Sequence, residues 1–238
     1  MTYVLHYAPD NASLIVRLAL EEMSVAYETR LVDRRAQAQK SAAYQVLNPA
    51  GRIPVLETPD GPMFETGAIL LWLADRHGML APPPTDTRRA WCLKWLFFMS
   101  NDLQTMLRLV FYSDRYVTPD QVAALRAGLA VKLRESLTCL DAACRAANTG
   151  RDTGAWVFDG NAPSILDCYL GPMLRWCKLY PKSQQDSRFD LADYPALLTV
   201  ARTLETRAST QAAQQAEGLG PTPFTAPVLA DPPEGSAL

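Results

Sequence analysis

The sequence predicts a small α/β domain followed by an all-helical one, on three observations. Its hydrophobic period changes once, from short strands mixed with helices to helices alone. A proline run, Ala81-Pro82-Pro83-Pro84, stands at that change. The segments before it read in the order βαβαββα. Residues 3–7 are a short apolar strand, and 14–22 carry apolar residues at helical spacing. Residues 26–32 alternate as a second strand, and 36–47 read as a polar helix. Two further strands, 53–58 and 62–64, flank the turn Pro59-Asp60-Gly61. A helix over 66–77 stops at Gly78. Beyond the prolines, helices are expected at 87–115, 119–147, 164–179 and 195–216. The expected division is 1–80, a linker at 81–86, helices over 87–217, and an extended tail over 218–238 rich in Pro, Gly and Ala.

Composition excludes several function classes. The net charge of -2, without any Lys/Arg-rich run, gives no pull toward nucleic acid or an anionic membrane. No run is long or uncharged enough to span a bilayer, and Met1 to Leu5 lack the layout of a secretion signal, so a cytoplasmic protein is expected. The five cysteines, Cys92, Cys139, Cys144, Cys168 and Cys177, form no CxxC pair and fall in helix-like segments, where reduced and mostly buried thiols are expected. His6 and His77 are isolated and no cluster has ligand spacing, so no metal is expected.

Two stretches carry the chemistry. In Asn48-Pro49-Ala50-Gly51-Arg52-Ile53-Pro54-Val55-Leu56 a tight loop enters a short strand, and Ile53-Pro54 is placed for a cis peptide. The backbone of Ile53 would then be free to pair with an extended peptide. In Phe64-Glu65-Thr66-Gly67-Ala68-Ile69 an acid and a hydroxyl stand at a helix start. The first N–H groups and Thr66 could hold a carboxylate, and Glu65 an amine. Together they suit a small zwitterionic peptide. A Ser/Thr-x-x-Asp pattern at Ser164 and Asp167 is a near-match to a capping box, a folding element.

With the strand–helix order, these stretches resemble the glutathione transferase superfamily over nearly the whole chain. The resemblance implies a thioredoxin-like first domain, a helical-bundle second domain, a homodimer, and glutathione as co-substrate with a small hydrophobic electrophile. Arg52, Ile53, Pro54, Glu65 and Thr66 would then bind glutathione. The segment Tyr7-Ala8-Pro9-Asp10-Asn11-Ala12-Ser13-Leu14 is similar to that of the bacterial beta class, with Ala12 where that class has cysteine. A thiol titrates near about 8.5, and moving it to about 6.5 requires roughly 2.7 kcal/mol. One hydrogen bond to the charged form supplies about 1.5–3 kcal/mol. Ser13 leads as the donor to sulfur, with Tyr7 and Asn11 as alternatives. The same residues also read as plain N-caps (Ser13, Asn11) or a core aromatic (Tyr7). After Trp95-Leu96-Phe97-Phe98, Asp102 and Gln104 would reach the glutathione amine or the cleft, and Met99, Met106, Phe111 and Tyr112 an apolar second pocket. Two rival readings are a non-catalytic binding module and glutathione-dependent disulfide reduction without a protein cysteine.

Overall fold

A computed structural model describes residues 2–149, 156–157, 162–181 and 189–237; Met1 and Leu238, at the ends of the expected domains, lie outside them. The first domain is thioredoxin-like. Its four strands are β1 (Tyr3–Tyr7), β2 (Tyr27–Leu31), β3 (Val55–Thr58) and β4 (Gly61–Phe64), in the order β2-β1-β3-β4. β1 runs parallel to β2 and antiparallel to β3, with Leu5 opposite Thr29 and Leu56. α1 (Ser13–Glu22) and α3 (Thr66–His77) bury Leu14, Leu18, Ile69, Leu70 and Leu73 in the main core. A second cluster of Val32, Tyr44 and Val55 packs α2 (Ala42–Leu47) against the sheet.

The expected polar helix over 36–47 is shorter. Gln37 is left-handed (φ 53°) and breaks it, and Ser41 begins α2 by accepting the Tyr44 N–H at 3.2 Å. The expected helix over 87–115 is α4 (Arg89–Phe98), a π turn (Met99–Leu103) and α5 (Gln104–Phe111), closed by a short helical turn at Ser113–Arg115.

Next come α6 (Val122–Ala147) and α7 (Ile165–Leu179). The latter is opened by the expected capping box: Asp167 accepts the Ser164 N–H at 2.8 Å and the Val157 N–H at 2.7 Å. Burial pushes the Asp167 carboxyl up to about 6, against these bonds, and its partners give it a structural role. The expected helix at 195–216 divides into α8 (Pro195–Glu205) and α9 (Ala208–Glu217). Between them Arg207 is extended and forks onto Glu22 of α1 at 3.0 and 2.7 Å, turning α9 back toward the first domain.

Residues 218–237 carry no helix or strand, yet they belong to the core. Leu219 and Phe224 are buried, and Glu205 accepts the N–H groups of Phe224 and Thr225, both at 2.8 Å. At Gly218 (φ 62°) the returning tail crosses so closely that a Cβ would stand 1.9 Å from the Asp231 carbonyl oxygen. From there the chain runs to the end of β1, where Tyr7 donates to Glu234 and Arg34 to the Ala237 carbonyl.

Candidate functional site

A cavity of about 880 Å³ opens where four elements meet: the loop after β1, the loop before β3, the start of α3, and the π turn with α5. In the first loop Asp10 is left-handed (φ 50°) and buried. Its carboxylate accepts from Arg175 Nε at 2.8 Å and Nη2 at 3.0 Å, Trp176 Nε1 at 2.7 Å and Tyr180 Oη at 2.8 Å. Its N–H donates to Glu217 at 2.8 Å, and Glu217 also pairs with Arg17. This hub locks the loop onto α7 and α9, and the sequence offered no local signal for it.

The loop turned by Asp10 presents Asn11 and Ala12 to the cavity. Asn11 accepts the Ala12 N–H through Oδ1 at 2.9 Å, which leaves its Nδ2 as a donor. Ser13 is placed elsewhere. It is fully buried, its Oγ donates to the Ala8 carbonyl at 3.1 Å, and it does not line the cavity. Its proton is therefore committed to the backbone. Tyr7 is buried beneath the tail, with the Arg17 guanidinium 4.8 Å from its ring centre and Glu234 accepting its hydroxyl hydrogen bond. Burial and Glu234 hold its phenol well above the usual tyrosine range. Expectation thus shifts from Ser13 and Tyr7 to Asn11.

The second loop is built as the sequence predicts, with Ile53-Pro54 cis. Asn48 Nδ2 and the Tyr44 hydroxyl donate to the Arg52 carbonyl at 2.8 and 3.0 Å, fixing the approach to Ile53. Gly51 (φ 58°) is required there, because a Cβ would stand 2.9 Å from the Gln39 carbonyl oxygen. Arg52, Ile53 and Pro54 all line the cavity.

Glu65 and Thr66 line it as well. Glu65 is left-handed (φ 71°), a conformation that costs a non-glycine residue about 1–3 kcal/mol. No side chain caps α3, so its first N–H groups face the site. Gly67 packs on the π turn, with Ser100 Cβ 3.8 Å from where its own Cβ would be.

Gln104 lines the cavity and accepts from Tyr169. Asp102 does not: it accepts the Ser136 hydroxyl at 2.7 Å on the α6 side. This corrects the expectation for Asp102, since residues two apart on a helix lie on nearly opposite faces. Phe111 and Tyr112 reach the cavity, whereas Met99 and Met106 are core. Basic residues complete the walls, and of these only Arg52 is expected from the sequence. Arg34, Lys40, Arg52, Arg108, Arg115 and Arg126 line the cavity, against only Asp10 and Glu65 as acids. A count of Arg on the Gln104 face of α5 would have found Arg108.

Among the cysteines, Cys92, Cys144, Cys168 and Cys177 are buried and Cys139 is exposed; none lines the cavity. Burial pushes the Cys92 thiol up to about 11 and those of Cys144 and Cys177 up to about 12. Among the described residues no helix is long and apolar enough to cross a membrane, and no group of three or more His, Cys, Asp or Glu could hold a metal.

Comparison with known proteins agrees with this geometry. The profile of the glutathione S-transferase N-terminal domain matches residues 12–76, and that of the C-terminal domain 123–202. A glutathione S-transferase of Xanthomonas campestris pv. campestris is 29% identical over 218 residues, spanning 90% of this chain and 98% of that protein. The disulfide-bond oxidoreductase YfcG of Escherichia coli is 26% identical over 213 residues, 87% of this chain and 91% of its own. Among solved structures, a sphingomonad glutathione S-transferase complexed with glutathione is 30% identical with a TM-score of 0.71, covering 91% of this chain and all (100%) of that one. The glutathione S-transferase from Xylella fastidiosa superposes with a TM-score of 0.76 at 26% identity, over 92% and 100% of the two chains. The chain belongs to the glutathione S-transferase superfamily.

Proposed function

We propose that the protein is a glutathione transferase that binds glutathione in the cavity and stabilises its thiolate for attack on a small electrophile. One observation carries this reading: a single cavity brings together Ile53-Pro54, the uncapped start of α3 with its left-handed Glu65, and the donor Asn11. The backbone of Ile53 pairs with the cysteinyl residue, as an added strand would. The α3 N–H groups and Thr66 take the γ-glutamyl carboxylate, Glu65 the amine, and Arg52 the glycyl carboxylate. Gln104 borders the γ-glutamyl end.

Asn11 Nδ2 then donates to the sulfur, and the N-terminus of α1 adds about 0.3–1 kcal/mol toward the thiolate. Ala12 has no thiol, so no mixed disulfide forms at that position. The proton leaves the thiol before the carbon–sulfur bond forms, and the leaving group departs with its electron pair. A homodimer is part of the reading, supported by Phe97 and Phe64, which stand 55% and 38% exposed on α4 and β4. So is a cytoplasmic setting, supported by the unpaired thiols.

The test is conjugation of an aryl halide. Asn11→Ala is expected to lower kcat/KM by about 10- to 100-fold, the worth of one hydrogen bond to a charged group. An unchanged kcat/KM would remove Asn11 from the mechanism. A second reading, disulfide reduction with glutathione and no protein cysteine, is favoured by the similarity to YfcG together with Ala12. Turnover of a small disulfide by glutathione, without conjugation of any aryl halide, would establish it instead.

A further inference from the structure

Glutathione leaves part of the cavity's positive charge unanswered. It brings two carboxylates and one ammonium, and the α3 start, Arg52 and Glu65 answer those three charges. Arg34, Arg108 and Arg115 remain on the cavity wall, with Lys40 and Arg126 also among its lining residues. Arg34 is held by neutral acceptors, the Tyr112 hydroxyl at 2.8 Å and the Ala237 carbonyl, which hold the side chain without cancelling its charge. Among the described residues no carboxylate pairs with Arg108 or Arg115. Arg115 lies 4.2 Å from the centre of the Tyr112 ring. The cavity's other acid, Asp10, is already spent on Arg175.

The spacing along α5 places these cations in the second half of the site. Gln104 stands at the glutathione end, and each turn carries the wall about 5.4 Å further along. Arg108 is one turn on, Phe111 ends the helix and Tyr112 follows it, with the Tyr180 ring packed edge-on against Phe111 at 5.5 Å between centres. Aromatic faces and guanidinium groups alternate there, in a chain whose net charge is -2. A neutral apolar molecule would give these half-buried and exposed cations no partner, whereas an anion pairs with them.

We propose that the second substrate is an aromatic carboxylate: its ring lies against the packed pair Phe111 and Tyr180, and its carboxylate is held by Arg108 and Arg34. This names the substrate class and rests on the transferase reading of the same cavity. For an aryl chloride the glutathione sulfur bonds to the ring carbon, and chloride leaves with the bonding pair. No oxidant or reductant is needed.

Two measurements test this. Calorimetry compares meta-nitrobenzoate with the neutral isostere meta-nitrobenzamide, neither of which reacts. The benzoate is expected to bind about tenfold or more tightly, as a charge-assisted bond of about 1.5–3 kcal/mol requires. In Arg108→Gln the two ligands should come within about twofold of each other, on the same scale. Equal binding of the two by the wild-type protein, or an undiminished benzoate preference in Arg108→Gln, would overturn the proposal. The second measurement is conjugation of chloronitrobenzoate against its methyl ester, each rate divided by its uncatalysed rate with glutathione. A benzoate preference in binding with no conjugation of either compound would leave the anion site standing and sink the transferase reading. Conjugation with preference for the ester would do the reverse.

Discussion

Replacing Asp10 with Ala should cost about 3–5 kcal/mol of stability, because it leaves the fully buried Arg175 guanidinium without its counter-charge. The same change strips Trp176 and Tyr180 of their acceptor and forces Ala into a left-handed conformation. Arg175 also donates to the carbonyls of Leu219 at 3.1 Å, Pro223 at 3.3 Å and Val228 at 2.8 Å, so the tail should loosen with it. Asp10→Asn keeps one acceptor and tolerates the left-handed backbone, and should recover part of the loss. Urea denaturation of the three proteins reads both effects. A loss below about 1 kcal/mol in Asp10→Ala would show that the hub contributes little. Since Asp10, Trp176 and Tyr180 also line the cavity, loss of the hub should widen the site as well as weaken the fold.

The second large effect is on affinity. Glu65→Ala should weaken glutathione binding by about 2–4 kcal/mol, because the ligand's ammonium loses its counter-charge in the cavity. Stability should move little, since Glu65 is exposed and Ala at φ 71° inherits the same backbone strain. Calorimetry on glutathione, set beside urea denaturation, separates the two. An unchanged dissociation constant would remove Glu65 from the binding site.

How far these conclusions could be reached from sequence depends on the range of the contacts involved. The loop before β3, the start of α3 and the capping box of α7 are each defined within a few residues, and their signals are local: Ile53-Pro54, Glu65-Thr66, Ser164 with Asp167. The strand order and the change to helices follow from hydrophobic period for the same reason. The Asp10 hub joins residues 165 or more positions apart, and no periodicity announces such a pairing. That hub decides which residue of the first loop faces the cavity. Held left-handed, Asp10 turns Asn11 and Ala12 inward and leaves Ser13 against the Ala8 carbonyl. Reading the loop as a helix start favours Ser13, one or two residues from the position that the folded loop exposes.

The tail and the π turn show the same limit in other forms. Composition over 218–238 describes a segment unable to build its own core, and in the structure it borrows one, through Leu219, Phe224 and the carbonyls that Arg175 collects. Its end reaches back to Arg34 and Tyr7, covering the phenol that would otherwise have been a candidate donor. In the second case, the stretch through the π turn at Met99–Leu103 turns Asp102 against Ser136 and Gln104 into the cavity, so the two residues could not share one cleft.

The most direct test of the central claim is the acidity of glutathione bound to the wild-type protein, followed by thiolate absorbance as pH is raised. The account predicts an apparent pKa about one to two units below the free thiol value of about 8.5, with saturable binding. A bound thiol that titrates where free glutathione does would contradict it, and would leave this cavity as a site that holds the peptide without activating it.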